Sequence, residues 1–332
     1  MKQLLLISFF IPLLLFSQTG VKTIFNKNNS PLNKQTITCV KTDQKGLIWI
    51  GTLEGLFCFN GNKWVKLTTD NSKIPSNKIL CLETKKGKIF IGTPSGLLII
   101  NNNNWEIYNT QNSNLPSNKI REIKIDNNNI AWLATSKGLV KYNKVFEDVL
   151  SSEVTGIKND DFISLDIDQN NKKWIGTNYG LYSYKDKIWR VFTTKNTDIP
   201  DNHIWEITVD ASNKKWIGTK KGITTIIENE WEIFNKKNTP LRTNLIKSIV
   251  RDDYDRIWIG TEKGVVSFDG QEWKKHKFKS KRAAINNLFI DSLDNKWLCT
   301  TISVSTNLIV YNAEGVEFKN NKISNNSFVV NK

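Results

Sequence analysis

The chain has 332 residues and a net charge of +15, from 47 Lys and Arg against 32 Asp and Glu. Of the basic residues 41 are Lys and only six are Arg, dispersed among abundant Asn. That distribution argues against the clustered, Arg-containing stripe that follows a phosphate backbone, and so against nucleic-acid binding. The surplus can still attract acidic partners such as uronate or sulfated glycans and anionic surfaces.

Residues 1–17 come first in chain order. Lys2 gives a positive start, Leu4 to Phe16 run almost without a polar group, and Ser17 is a small residue suited to cleavage. The run is shorter than the roughly 20 apolar residues a membrane-spanning helix needs, so it reads as a secretory signal peptide. The mature chain is expected to start near Gln18. No cysteine follows the apolar run directly, so no lipid anchor is indicated, and no later stretch is apolar enough to span a bilayer. The expected location is secreted or periplasmic.

From there to the end the chain repeats itself. Trp49, Phe90, Trp132, Trp174, Trp216, Trp258 and Trp297 open the segments WIGT, FIGT, WLAT, WIGT, WIGT, WIGT and WLCT, at spacings of 41, 42, 42, 42, 42 and 39. A second Trp follows 15 residues later in five copies, at Trp64, Trp105, Trp189, Trp231 and Trp273. Eleven of the twelve Trp residues belong to these two registers, which assigns them to packing between repeats and leaves Trp205 over. Each copy reads as four short strands. Strand A is apolar, as in Ile246 to Val250, and ends at an Asp-rich turn such as Asp252 to Asp255. Strand B is W-I-G-T, and a Gly-containing tight turn leads to strand C. Strand D carries the second Trp, and a connection of the type L-P-S-N-K leads to the next strand A. Four antiparallel strands at this period specify a blade, and seven copies specify an all-β, seven-bladed β-propeller over residues 18–332.

The ends compete for closure of the ring. Residues 21–37 (VKTIFNKNNSPLNKQTI) copy residues 230–246 (EWEIFNKKNTPLRTNLI), so the N-terminal strand, about residues 21–26, is expected to complete blade 7. Val316 to Phe318 also resembles a strand D, and Ile323 to Phe328 another connection. Blade 3 has Glu147 at the place of the second Trp with Phe146 beside it, and blade 7 replaces its short B–C turn by Ile302 to Asn307. Cys39, Cys58, Cys81 and Cys299 read as small buried thiols, although export would permit a pair between Cys299 and Cys39 or Cys58.

This pattern of Asp-x-x-Gly, W-I-G-T-x-x-G-L, an aromatic strand and an L-P-x-N connection resembles the bacterial two-component-regulator propeller repeat. The resemblance covers about residues 21–328. It implies a propeller of the kind found as the sensing part of membrane-bound histidine kinases. In this sequence the repeats run almost to Lys332 without kinase or transmembrane segments, so the expectation is a freestanding module working with a membrane sensor or envelope partner.

Nothing catalytic stands out. There are two histidines, His203 and His276, without Cys or carboxylates at metal-ligand spacing, and no G-x-S-x-G or phosphate-binding loop. No cofactor, metal or enzyme activity is expected. The blade pattern is also similar to streptogramin-lyase propellers, which implies a metal-dependent role for His203, Glu206 and Glu122 near the channel as a third reading. A binding face is easier to argue. The D–A connections and B–C turns share one face, and their variable residues include Arg121, Tyr179, His203, Trp205, Lys220, Lys221, Lys247 and Lys263. Aromatic rings with cationic neighbours suit a glycan, a small acidic metabolite or a peptide. The bland alternative is that Trp205 fills space between blades and the lysines are solvated. A flat apolar face would instead favour a protein-interaction scaffold.

Overall fold

The computed structural model describes residues 21–25, 30–32, 35–61, 63–151, 161–276, 284–291, 294–302 and 305–312. The signal-peptide reading of residues 1–17 and the competing strand at Val316 to Phe318 lie outside the described residues. Twenty-eight strands form seven four-stranded antiparallel sheets, and no helix among the described residues is long and apolar enough to cross a membrane. Strand A of each blade touches strand A of the next, and Ala284–Ile290 of blade 7 touches Ile37–Thr42 of blade 1, so the inner strands form a closed ring.

Blade 7 takes strands A, B and C from the end of the chain and its outermost strand from the start. Val21–Phe25 pairs antiparallel with Ser305–Asn312, Phe25 standing opposite Leu308. Its B–C hairpin stays paired as far as Ile302 and Ser305, where other blades turn at a Gly.

Strand B is buried at every position in blades 1, 3, 5 and 6, because neighbouring blades cover both its faces. That is why W-I-G-T does not alternate with polar residues. Its Gly gives the next blade room: a Cβ on Gly51 would lie 2.4 Å from Cys39 Sγ and 2.7 Å from Ile79 Cγ2. The following Thr locks the turn. Thr135 Oγ1 donates to the Gly138 carbonyl at 2.8 Å and accepts the Lys137 N–H at 3.1 Å, and the same pair of bonds recurs at Thr52, Thr93, Thr177, Thr219 and Thr261.

The Asp of the A–B turn and the Trp of strand B form one device. Asp126 Oδ1 accepts the N–H groups of Asn128 and Ile130, while its Oδ2 accepts Trp132 Nε1–H. Asp43, Asp168, Asp210, Asp252 and Asp291 hold Trp49, Trp174, Trp216, Trp258 and Trp297 in the same way, with indole bonds of 2.8 to 3.0 Å. Blade 2 is consistent in its departure. It has a tight turn at Lys86 and Gly87, no Asp, and Phe90, which has no N–H to place. Three buried lysines tie this device to the next blade: Lys173 Nζ lies 3.6 Å from Asp126, Lys215 Nζ 3.4 Å from Asp168, and Lys296 Nζ 3.4 Å from Asp252.

Phe146 occupies the second-Trp position of blade 3, opposite Tyr142 as Trp189 is opposite Tyr184, because the C–D turn there is one residue shorter; Glu147 pairs with Lys141 instead. All four cysteines are buried and free. Burial pushes the Cys39 and Cys58 thiols up to about 12, which leaves them unreactive at neutral pH.

Candidate functional site

The inner strands run down the central channel, and their first residues stand at its mouth beside the D–A connections. In five of them the pairing with strand B slips by one residue at this level, between Ile37 and Cys39, Ile120 and Glu122, Ile204 and Glu206, Ile246 and Ser248, and Ile285 and Asn287. The extra residues are Thr38, Arg121, Trp205, Lys247 and Asn286. A bulge re-aims side chains. In blade 5 Ile204 and Ile207 are buried, whereas Trp205 and Glu206, consecutive in sequence, both stay partly exposed.

Four of the residues singled out from sequence come together here. The His203 and Trp205 rings lie 4.2 Å apart between centroids, and Lys247 Nζ and Lys220 Nζ stand 5.2 Å and 5.9 Å from the Trp205 ring. Ammonium groups at these distances from an indole face are attracted to it. Burial, and then the Lys220 charge, hold His203 below the usual imidazole range, with Asp201 opposing them. Its ring is therefore neutral at neutral pH. His203 Nε2 and Trp205 Nε1 are both buried without a hydrogen-bond partner. Six other indoles have an Asp dedicated to them; this one does not. A buried unpaired donor costs about 1–3 kcal/mol, and such a group calls for an explanation.

The remaining four are not part of this cluster. Arg121 grips both carboxylate oxygens of Asp161, at 2.6 and 2.8 Å, though its Nε is unpaired. Lys221 stands 3.7 Å from Asp201. Tyr179 and Lys263 are exposed on the B–C turns of blades 4 and 6.

Beneath the mouth is a channel cavity of about 510 Å³, lined by Lys41, Glu122, Lys124, Asp166 and Glu206 among others. Lys41 pairs with Glu83 at 3.0 Å and Lys124 with Asp166 at 3.5 Å. Burial and mutual repulsion raise Glu206 to about 8; burial, and then Glu83 and Asp166, raise Glu122 to about 7, with Lys124 opposing both shifts. Lys124 stays charged, since Asp166, Glu122 and Glu83 more than offset its burial. Strict alternation along strand A would send Glu206 to the face opposite Trp205; the bulge leaves both partly exposed.

A raised carboxyl favours its neutral form in the fold. Its contribution to stability is complete below the unfolded value near pH 4.5 and is lost as pH rises toward 8. Glu206→Gln is therefore expected to match the parent near pH 4.5 and to exceed it at pH 8.5 by on the order of 1–2 kcal/mol, discounted for water in the channel. Urea denaturation at the two pH values checks this.

The residues do not fit a divalent metal. Among the described residues no three His, Cys, Asp or Glu side chains could hold one, and the His203 ring packs against Trp205. A second cavity of about 390 Å³ lies between blades 1 and 2, lined by Trp49, Cys58, Ile89, Ile100 and Trp105 among others. It opens where blade 2 lacks the Asp–Trp device.

The family model of the two component regulator propeller matches residues 240–263, from the last D–A connection of blade 5 to the B–C turn of blade 6. That segment matches one copy of the two-component-regulator propeller repeat. No curated protein matches the chain in sequence. Among solved structures, the extracellular domain of a hybrid two component system from B. thetaiotaomicron is 21% identical with a TM-score of 0.68; the match covers 82% of this chain and 40% of that one. A catalytically inactive virginiamycin B lyase from Staphylococcus aureus with quinupristin is 12% identical, with a TM-score of 0.69 over 88% of this chain and 99% of that one. YCF48 bound to D1 peptide is 12% identical, with a TM-score of 0.63 over 87% and 96%. At these identities the chain shares a fold with all three, and it spans only 40% of the first.

Proposed function

We propose that this propeller is a non-catalytic, extracytoplasmic ligand-binding module of the sensor type, which takes a small ligand at the channel mouth and passes its bound state to a membrane partner. The observation that carries the reading is the convergence of His203, Lys220 and Lys247 on Trp205, whose indole N–H is buried and unpaired where the six strand-B indoles are each bonded to an Asp. A stacking surface, cations and free polar atoms beside a cavity are what a small polar ligand needs. The regulator-propeller repeat and the likeness to an extracellular two-component domain support the sensor role. The test is a thermal-shift screen of glycans, metabolites and peptides on the parent and on Trp205→Ala. A true ligand is expected to raise the parent's midpoint by several degrees and the variant's by less than a quarter of that. Equal stabilisation of both proteins would refute the placement.

A further inference from the structure

We propose that the channel mouth takes a free α-amino acid, its carboxylate held by Lys247, Lys220 and the Trp205 indole N–H, its ammonium by Glu206 and Glu122. This rests on the mouth being the ligand site and names the ligand's class. The net charge of the whole chain suggests an acidic ligand, but the channel holds more carboxyl groups than its lysines pair with. Glu83, Glu122, Asp166 and Glu206 stand against Lys41 and Lys124, and the two lysines pair with Glu83 and Asp166. Glu122 and Glu206 are left with no ion pair within 4.0 Å among the described residues, and both line the cavity.

The charges are also layered. Lys247 and Trp205 are the bulged residues of their strands, and Glu206 and Glu122 follow one residue deeper. One residue of strand is at most about 3.4 Å of channel depth, and less at a bulge, an offset of the size that separates ammonium and carboxylate groups sharing a single carbon. Burial favours the protonated forms of Glu206 and Glu122, and an arriving ammonium lets them ionise; a dicarboxylate would oppose that ionisation and a neutral sugar would not promote it. An amino acid meets both layers, and its side chain can lie against the Trp205 ring, with about 510 Å³ available below.

The test titrates the full chain with the twenty common L-amino acids by calorimetry, then with two relatives of the best binder: the amine lacking its carboxylate and the acid lacking its ammonium. At least one amino acid is expected to bind, with each relative at least tenfold weaker. Glu206→Gln together with Glu122→Gln should weaken the amino acid at least tenfold and leave the acid unchanged or tighter, while Lys247→Met should weaken amino acid and acid alike. Glu206→Gln alone carries the test if the double variant fails to fold. No binding by any amino acid, or binding indifferent to the Gln variants, overturns the inference. If a glycan binds instead and is lost in Trp205→Ala, the mouth is still the site and only the amino-acid assignment falls; a ligand indifferent to Trp205→Ala removes both.

Discussion

Asp252→Ala is expected to cost about 3–5 kcal/mol, the range for removing one partner of a buried charge network. Asp252 is buried and serves five groups. Its Oδ1 accepts the N–H groups of Tyr254 and Arg256, and its Oδ2 accepts Trp258 Nε1–H at 2.9 Å and Arg256 Nε–H at 2.7 Å and faces Lys296 Nζ at 3.4 Å. Lys296, on the next blade, is fully buried, so the Ala variant weakens the compensation of its charge as well as orphaning the indole. Burial works against the Asp252 carboxylate, yet the Trp258 and Arg256 hydrogen bonds and the Lys296 charge hold it below the usual carboxylate range. Its contribution is therefore full above about pH 4 and is lost as pH falls through the depressed value. This sign is opposite to that of Glu206. Urea midpoints of the parent, Asp252→Ala and Asp252→Asn at pH 7 decide the matter: Asn keeps an acceptor for the indole and should lose less than Ala. Equal, small losses in both would show that the network contributes little.

The second large effect is at the closure. Phe25 is 2% exposed, stacks on Trp297 of blade 7 with centroids 6.1 Å apart, and meets Phe59 and Trp64 of blade 1 edge-on at 6.0 and 5.5 Å. One ring thus joins the first and last blades and anchors the strand that completes the last sheet. Phe25→Ala is expected to destabilise by about 3–5 kcal/mol, the usual range for a buried phenylalanine. Because the loss is concentrated in the outer strand of blade 7, proteolysis under native conditions should cut the variant near residues 18–30 while blades 3 to 6 stay intact. A uniform loss of resistance across all blades would argue against the Phe25 strand as the closure.

The blades were legible because the scaffold residues recur: a Trp every 42 residues and an Asp six before it leave little choice of fold. Composition was less informative. The abundant Asn reads as a bias in sequence, yet Asn71, Asn112, Asn196 and Asn238 each clamp a D–A connection, accepting the N–H of Thr68, Asn109, Thr193 and Asn235. Lys173, Lys215 and Lys296 likewise look like part of a diffuse surplus but are buried between blades, since their Asp partners belong to the preceding repeat and are not adjacent in sequence. The site was half legible. Trp205 was isolated by exclusion from the two Trp registers, and His203, Lys220 and Lys247 gather around it. Glu206 is harder to read, because strict two-residue alternation sends Trp205 and Glu206 to opposite faces. The bulge that leaves both partly exposed depends on pairing with strand B, which residue identity alone does not specify.

Uptake of ligand at the channel mouth is decided by hydrogen–deuterium exchange with a stabilising compound bound. Protection is expected in peptides covering residues 199–209, 215–221 and 246–250, which carry His203, Trp205, Lys220 and Lys247. Protection confined to residues 43–49 and 100–105, around the crevice between blades 1 and 2, would contradict it.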